Sequence, residues 1–314
     1  MKKYIFKRIL HSLAVMFAVV TVVFVAMRSL PGGPARAALG EEASPEQVAA
    51  LEEQLGLNDP LYIQYTDYMF DLIRLDFGTS IGTGQDVLTM LMLAGPRTFW
   101  IGIVGVIIGL SIAIPTGIIS ATRRNEPIDY VATVFAFTGL SMPAFFIGIL
   151  LALVFGVWLG LLPIIGYNSL QDGIVPWFQT IILPAIAVGL PYSAIVMRMT
   201  RSSLLEVQNQ PYMQTARAKG LSKRVSLYKH ALQNAMIPVI TIGAIQVAVI
   251  ITGSVTVELV FSINGLGRTL VNSMLRNDYT VIQGAIVIIA GVMVFTNLVV
   301  DILYTIIDPR IRYD

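Results

Sequence analysis

The sequence predicts an all-α polytopic membrane protein with six transmembrane helices, and three observations carry that reading. Of 314 residues, 55% are hydrophobic and only 13% charged, with mean hydropathy +0.75; an average soluble domain is roughly 25% charged. The apolar residues fall in runs that match the ~20 residues a helix needs to cross a bilayer. With six spans, the basic clusters Lys2–Arg8, Arg123-Arg124, Arg198–Lys229 and Arg310/Arg312 all fall on one side. That is the cytoplasmic side by the positive-inside rule, so both termini are expected there. The net charge of +2 is too small to argue for nucleic acid as a partner. There is no cysteine, hence no disulfide framework or thiolate site, and His11 and His230 lie too far apart in sequence to suggest a metal site.

Ile9–Met27 is the first span, preceded by Lys2, Lys3, Lys7 and Arg8. Its apolar run is too long for a signal-peptide core of roughly 7–15 residues, so residues 1–29 are expected to stay as a tail and a spanning helix. Residues 30–97 differ in kind. They open on the helix breakers Pro31-Gly32-Gly33-Pro34 and then turn acidic, with only Arg36, Arg74 and Arg97 as basic residues. Ser44 as N-cap, Pro45 at the first position and Gln47 at the third start a helix that Leu55-Gly56 ends. Asp59-Pro60 starts another that runs to about Arg74. This is an extracytoplasmic segment with short helices, too polar to insert.

Phe99–Ala121 is the second span. Gly105 and Gly109 form a GxxxG pair in it, and Pro115 predicts a kink. The uncharged stretch Tyr130–Leu170 fits one long span or two tight ones. Charge bias selects one, about Val131–Leu159, kinked near Pro143, because two would carry the later basic loop outside. Leu162–Trp177 then reads as an extracytoplasmic loop on the interface, with Trp177 as its anchor. Ile181–Met199, Val239–Val257 and Val281–Ile307 are the fourth, fifth and sixth spans.

The longest basic interruption of the apolar pattern is Tyr212–Pro238. Pro211 precedes a run of good helix formers, Tyr212–Lys219, and Gly220 reads as the left-handed residue that closes them. Leu221 then folds back onto Ala216. Ser222 is the N-cap of a second helix, whose Val225, Tyr228, Leu232 and Ala235 share one stripe. On residue chemistry alone, a basic amphipathic helix lying on anionic lipid is an equal reading of this stretch.

Thr215-Ala216-Arg217-Ala218-Lys219-Gly220, with His230-Ala231-Leu232-Gln233-Asn234-Ala235 and Pro238 downstream, resembles the EAA loop of permease subunits of binding-protein-dependent ABC importers. The TARAKG form is closest to the dipeptide/oligopeptide/nickel branch, and to the first of the two permeases in its peptide systems. Gln214 and Thr215 depart from the Glu and Ala of the original pattern. Leu30-Pro31-Gly32-Gly33-Pro34 is similar to that branch's LPGDP, with Gly33 in place of Asp. Leu55–Leu61, Leu75–Gly78, Ser141–Phe145, Leu161–Tyr167 and the Asp308-Pro309-Arg310 ending extend the likeness over nearly the whole chain.

The resemblance implies a type I ABC importer permease fold, with residues 98–307 as the core, a coupling loop at 202–236 and a cytoplasmic tail at 308–314. It also implies a non-catalytic subunit in a bacterial or archaeal cytoplasmic membrane. Its partners would be a homologous second permease, two ATPase subunits that bind the ATP and Mg, and an extracytoplasmic binding protein that delivers peptides or small chelates such as nickel complexes. Tyr212, Thr215, Ala216, Arg217, Lys219 and Gly220 would form the contact with the ATPase.

No GxxxxGK[ST] sequence is present, so the chain holds no P-loop of its own. Gly139-Leu140-Ser141 suggests a nucleophile only if a base accompanies it, and neither histidine is placed by sequence to serve; no catalytic residue is expected. Glu258, ahead of Phe261-Ser262-Ile263-Asn264-Gly265-Leu266-Gly267, is similar to the family's E-x-x-F-S-x-P-G-L-G, with Asn264 replacing Pro. Glu258, Phe261, Ser262 and Met142 are candidate pathway or gate residues. The structural alternative is that Glu258 is hydrogen-bonded to the turn after it and Met142 packs. Asp301 reads as an interfacial anchor, and Arg198 and Arg201 as snorkelling boundary residues. The competing class is a secondary transporter or channel-like protein without ATPase partners. It calls for inverted repeats and mid-membrane carboxylates, which the sequence does not show.

Overall fold

The computed structural model describes residues 2–30, 32–40 and 42–307. In chain order its helices are α1 Lys2–Arg28, α2 Gly33–Leu39, α3 Pro45–Gln54, α4 Leu61–Ile73, α5 Val87–Thr122, α6 Pro127–Ser141, α7 Ala144–Leu151, α8 Ile174–Gln208, α9 Pro211–Ala218, α10 Lys223–Val225, α11 Leu232–Val260, α12 Leu266–Leu275 and α13 Tyr279–Ile307. A π-helical turn, Ala152–Trp158, extends α7, and a second, Ser226–Ala231, joins α10 to α11. Among the described residues the only strand-like pairing is one bridge between Thr79 and Asp86. Pro31, Glu41 and the Asp308-Pro309-Arg310 ending lie outside the described residues.

α1, α5, α8, the run Ser226–Ile251 and α13 are each long and apolar enough to cross a membrane. α6 and the α7 run pass the same test only together, as a pair bent by 106°, so the described residues hold five such spans, or six if the bent pair crosses as one. Sequence reading expected one kinked helix here; the structure has a break. Met142 is extended at φ −97° and ψ 126° because the residue before a proline is driven out of the helical region. Pro143 also has no N–H with which to continue the ladder.

α5 and α8 run to 36 and 35 residues, about 50 Å each at 1.5 Å per residue. The predicted Phe99–Ala121 is the C-terminal part of α5, and Ile181–Met199 is the middle of α8. α5 starts at Val87, inside the stretch assigned to the extracytoplasmic segment. Trp177 lies in the first turn of α8, not in a loop, with its ring edge-on to Trp100 at 5.4 Å.

The chain divides into two units, one of residues 98–263 with the end of α13, the other of residues 5–97 and 264–295. In the first unit, α5 packs on α8 through small residues. A Cβ on Gly105 would sit 2.6 Å from Val188 Cγ2, and one on Gly109 would sit 2.4 Å from Tyr192 Cδ1 and 2.9 Å from the Gly189 carbonyl. Gly117 is as crowded against Thr200, and Ala113 between them is fully buried. Positions 105, 109, 113 and 117 recur every fourth residue and so share one helix face, which lets two backbones approach.

The second unit has an apolar centre of Val87, Leu91, Ala94, Leu266, Val281 and Ala285. Its polar residues do much of the tying. Asp278, only 4% exposed, accepts from the Ser80 hydroxyl and from the Ile81 and Gly82 amides at 3.2 and 3.3 Å. The Ser44 capping box forms as the sequence predicts.

Candidate coupling surface and buried polar sites

α9 is short because Pro211 opens it and Gly220 closes it. Gly220 has φ +80°, and the Leu221 amide donates back to the Ala216 carbonyl at 3.4 Å, the Schellman closure expected from sequence. α9 is moored by two side chains. Met213 is 1% exposed and packs with Ala121, Leu204, Ala231 and Ala235. Tyr212, Gln214, Thr215 and Lys219 face outward. Ala216, one turn from Met213, is half-buried at the edge between the two faces. The Arg217 side chain lies outside the described residues. The Tyr212 hydroxyl accepts from Asn234 Nδ2 at 3.1 Å, a second tie to the helix that follows.

Ser222 caps that following helix through the Val225 amide at 3.4 Å. The predicted stripe holds only in its second half. Ala235 is buried and Leu232 half-buried, but Val225 and Tyr228 are 41% and 59% exposed, whereas Ser226 and Ala231, off the stripe, are buried. The reason is the π turn: its wider i→i+5 ladder makes residues 226 and 231 share a face, and an assumed α period misses this.

Arg201 does not snorkel. Its Nε and Nη2 donate to the two oxygens of Asp129, both at 2.9 Å. Asp129 also accepts from the Ser120 hydroxyl and the Asn125 amide, so one carboxylate joins α5, α6 and α8. Sequence reading missed Asp129 because the uncharged run was counted from Tyr130. A carboxylate at the first turn of an apolar helix was the available signal.

Glu258 is fully buried; its Oε1 accepts from Thr98 Oγ1 at 2.6 Å and Ser254 Oγ at 3.3 Å. These donors belong to α5 and to the preceding turn of α11, not to the turn that follows. Phe261 is 1% exposed and its carbonyl accepts from the Gly166 amide at 3.1 Å. Both side chains are enclosed by this chain itself. Ser262, at φ +54°, forms the turn, and Met142, half-buried, sits at the α6–α7 break. Among the described residues no three His, Asp or Glu side chains converge as a metal site needs.

Residues 113–313 match the family described as the binding-protein-dependent transport system inner membrane component, and residues 1–99 match its N-terminal companion. The chain belongs to this family of ABC importer permeases. A probable peptide ABC transporter permease of Sinorhizobium fredii is 39% identical over 99% of both chains. A dipeptide transport system permease of Alkalihalophilus pseudofirmus is 38% identical and a glutathione transport system permease of Escherichia coli strain K12 is 39% identical, each over all of both chains. Among solved structures, a chain of the methionine ABC transporter MetNI aligns at TM-score 0.57 and 18% identity, covering 70% of this chain and 96% of that one. That likeness concerns the fold, an all-helical importer permease architecture. The subunit is thus a multi-pass membrane component of a binding-protein-dependent importer, within the peptide branch of the family.

Proposed function

We propose that this subunit forms half of a path for short peptides and is driven through α9 by a cytoplasmic ATPase. The observation that carries the reading is the build of α9. It is a short helix moored by Met213 and sharply ended by Gly220, and it turns Tyr212, Thr215 and Lys219 outward. A helix that fits a partner's groove presents such a stripe. Peptide is favoured over a metal chelate because the named relatives are described as peptide, dipeptide or glutathione permeases.

In this proposal both termini and α9 are cytoplasmic, and residues 30–97 face the binding protein. A second, homologous permease completes the path in the cytoplasmic membrane of a bacterium or archaeon. Two ATPase subunits hold the ATP and Mg, and no bond is made or broken by this chain. Residues 98–307 act as the transport core and residues 202–236 as its coupling loop. Tyr212, Thr215, Arg217 and Lys219 contact the ATPase, Ala216 permits close approach at its edge, and Gly220 sets the angle. Glu258, Phe261, Ser262 and Met142 frame the path from behind.

The test is reconstitution with the second permease, the ATPases and the binding protein. Ala216→Leu and Gly220→Val are expected to leave insertion intact and to cut peptide-stimulated ATP hydrolysis at least about tenfold, since about 1.4 kcal/mol at the interface suffices. Wild-type hydrolysis and uptake in Ala216→Leu would overturn the assignment. A lipid-bound α9 predicts that result, because a larger apolar side chain binds lipid as well or better.

A further inference from the structure

α9 rests on the ends of two long helices, and one buried carboxylate fixes those ends to each other. Met213 of α9 packs with Ala121 of α5 and Leu204 of α8, and with Ala231 and Ala235. All of these are buried. Ser120 precedes Ala121 on α5, and Arg201 lies one turn before Leu204 on the same face of α8. These two neighbours of the Met213 socket converge on Asp129. The Ser120 hydroxyl and Arg201 Nε donate to its Oδ1 and Arg201 Nη2 donates to its Oδ2, the arginine bonds both at 2.9 Å. The Asn125 amide, in the turn between α5 and α6, adds a bond to Oδ2 at 3.0 Å. Ser120 and Asp129 are 0% and 3% exposed, so water does not compete for these bonds. One turn deeper, Gly117 lies against Thr200, where an added Cβ would come within 2.6 Å of the threonine Cβ. The seat of α9 is therefore backed by two further layers, the Asp129 network and the glycine contact.

An arginine at the boundary of a span has a simpler course open to it, which is to reach out to water or headgroups. Here its planar fork meets both carboxylate oxygens, and that fixes direction as well as distance. An apolar contact of similar bulk stabilises as well as such a pair, but it holds no particular angle. Asp129 is in the first turn of α6, and the far end of α6 is the break at Met142-Pro143, about 20 Å away at 1.5 Å per residue. A displacement of α9 passes through Met213 to the ends of α5 and α8, and the fork hands it to the foot of α6.

We infer that Asp129 and Arg201 are positioning residues for energy coupling. They make α5, α6 and α8 move as one body with the seat of α9, so that a stroke delivered to α9 reaches the α6–α7 break. This rests on the reading of α9 as the ATPase contact and adds where the stroke goes next.

The experiment uses the complete importer in proteoliposomes and reads the ATP hydrolysed per peptide taken up. A variant that only lowers the amount of folded subunit reduces both quantities together and leaves their ratio unchanged. Asp129→Leu combined with Arg201→Met keeps a contact between the helices and removes the fork. Its ratio is expected to rise at least about fivefold, the low end of ordinary coupling between sites, with an unfolding temperature near that of the wild type. Arg201→Lys keeps the charge without the planar fork and is expected to raise the ratio by a smaller amount. A wild-type ratio in the double variant overturns the inference; should the double variant not fold, a wild-type ratio in Arg201→Lys does so. Ala216→Leu separates this inference from the reading beneath it. If Ala216→Leu transports like the wild type, the reading of α9 falls and this inference with it. If Ala216→Leu is impaired while the double variant couples normally, only the role of Asp129 and Arg201 falls.

Discussion

In the first unit, α5 and α8 touch through glycines at 105, 109, 117 and 189, where an added methyl would lie within 3 Å of the facing helix. In the second, the loop 79–86 is held by one carboxylate, Asp278, which collects a hydroxyl and two neighbouring amides. Lipid is as apolar as a leucine side chain, so burying apolar surface gives helices in a membrane little reason to meet; close backbone approach does. A polar segment has the opposite problem. It is short of apolar area, and residues 30–97 contribute few fully buried side chains to set against their backbone amides. Hydrogen bonds to a fixed carboxylate satisfy those amides locally.

The sharpest way to break the comparison is to fill the glycine contact. Gly109→Leu is expected to cost more than about 3 kcal/mol, because both Tyr192 and the Gly189 carbonyl must move. The readout is loss of monodisperse protein after solubilisation. Gly102→Ala, whose new methyl would lie 3.8 Å from Ile250, is the control and should be near neutral.

The first unit also contains a polar exception. Asp129→Leu leaves Arg201 without its partner and should cost about 3 kcal/mol, near the low end for a broken buried pair because Arg201 keeps 29% exposure. Adding Arg201→Met should recover most of that loss in thermal unfolding. If it does not, the pair stabilises more than an apolar contact would, and the two units differ less in what holds them together.

The smallest effect belongs to the second unit. Asp278→Asn should cost about 2 kcal/mol, felt locally. Hydrogen exchange at the Ile81 and Gly82 amides should quicken while amides of α8 stay protected. A general loss of protection would mean that the loop and the helices unfold as one body.

Much of this was legible in the sequence because it depends on short-range chemistry. The caps at Ser44 and Ser222 and the closure at Gly220 each need only a few neighbours to be read. The Gly105–Gly109 pair was visible as a spacing, though not the helix it meets. What escaped required more than local pattern. The two π turns carry no residue signature, and the second shifts the buried face to Ser226 and Ala231. The depth of the break at Met142-Pro143 depends on how the flanking helices pack. Asp129, Met213 and Glu258 acquire their roles from partners 72, 22 and 160 residues away, as with Arg201, Ala235 and Thr98.

Gly220 has one further consequence. Nothing lies within 4 Å of where its side chain would begin, so there is ample room for a larger residue. What the position excludes is handedness: at φ +80° an L-residue is strained by its own backbone. A D-alanine placed there by semisynthesis is the mirror image that this conformation suits. The elbow before the fifth span therefore costs an L-residue about 1–2 kcal/mol for a stereochemical reason, a cost that a D-residue does not meet. A D-residue there would stiffen the angle and leave the rest of the chain untouched.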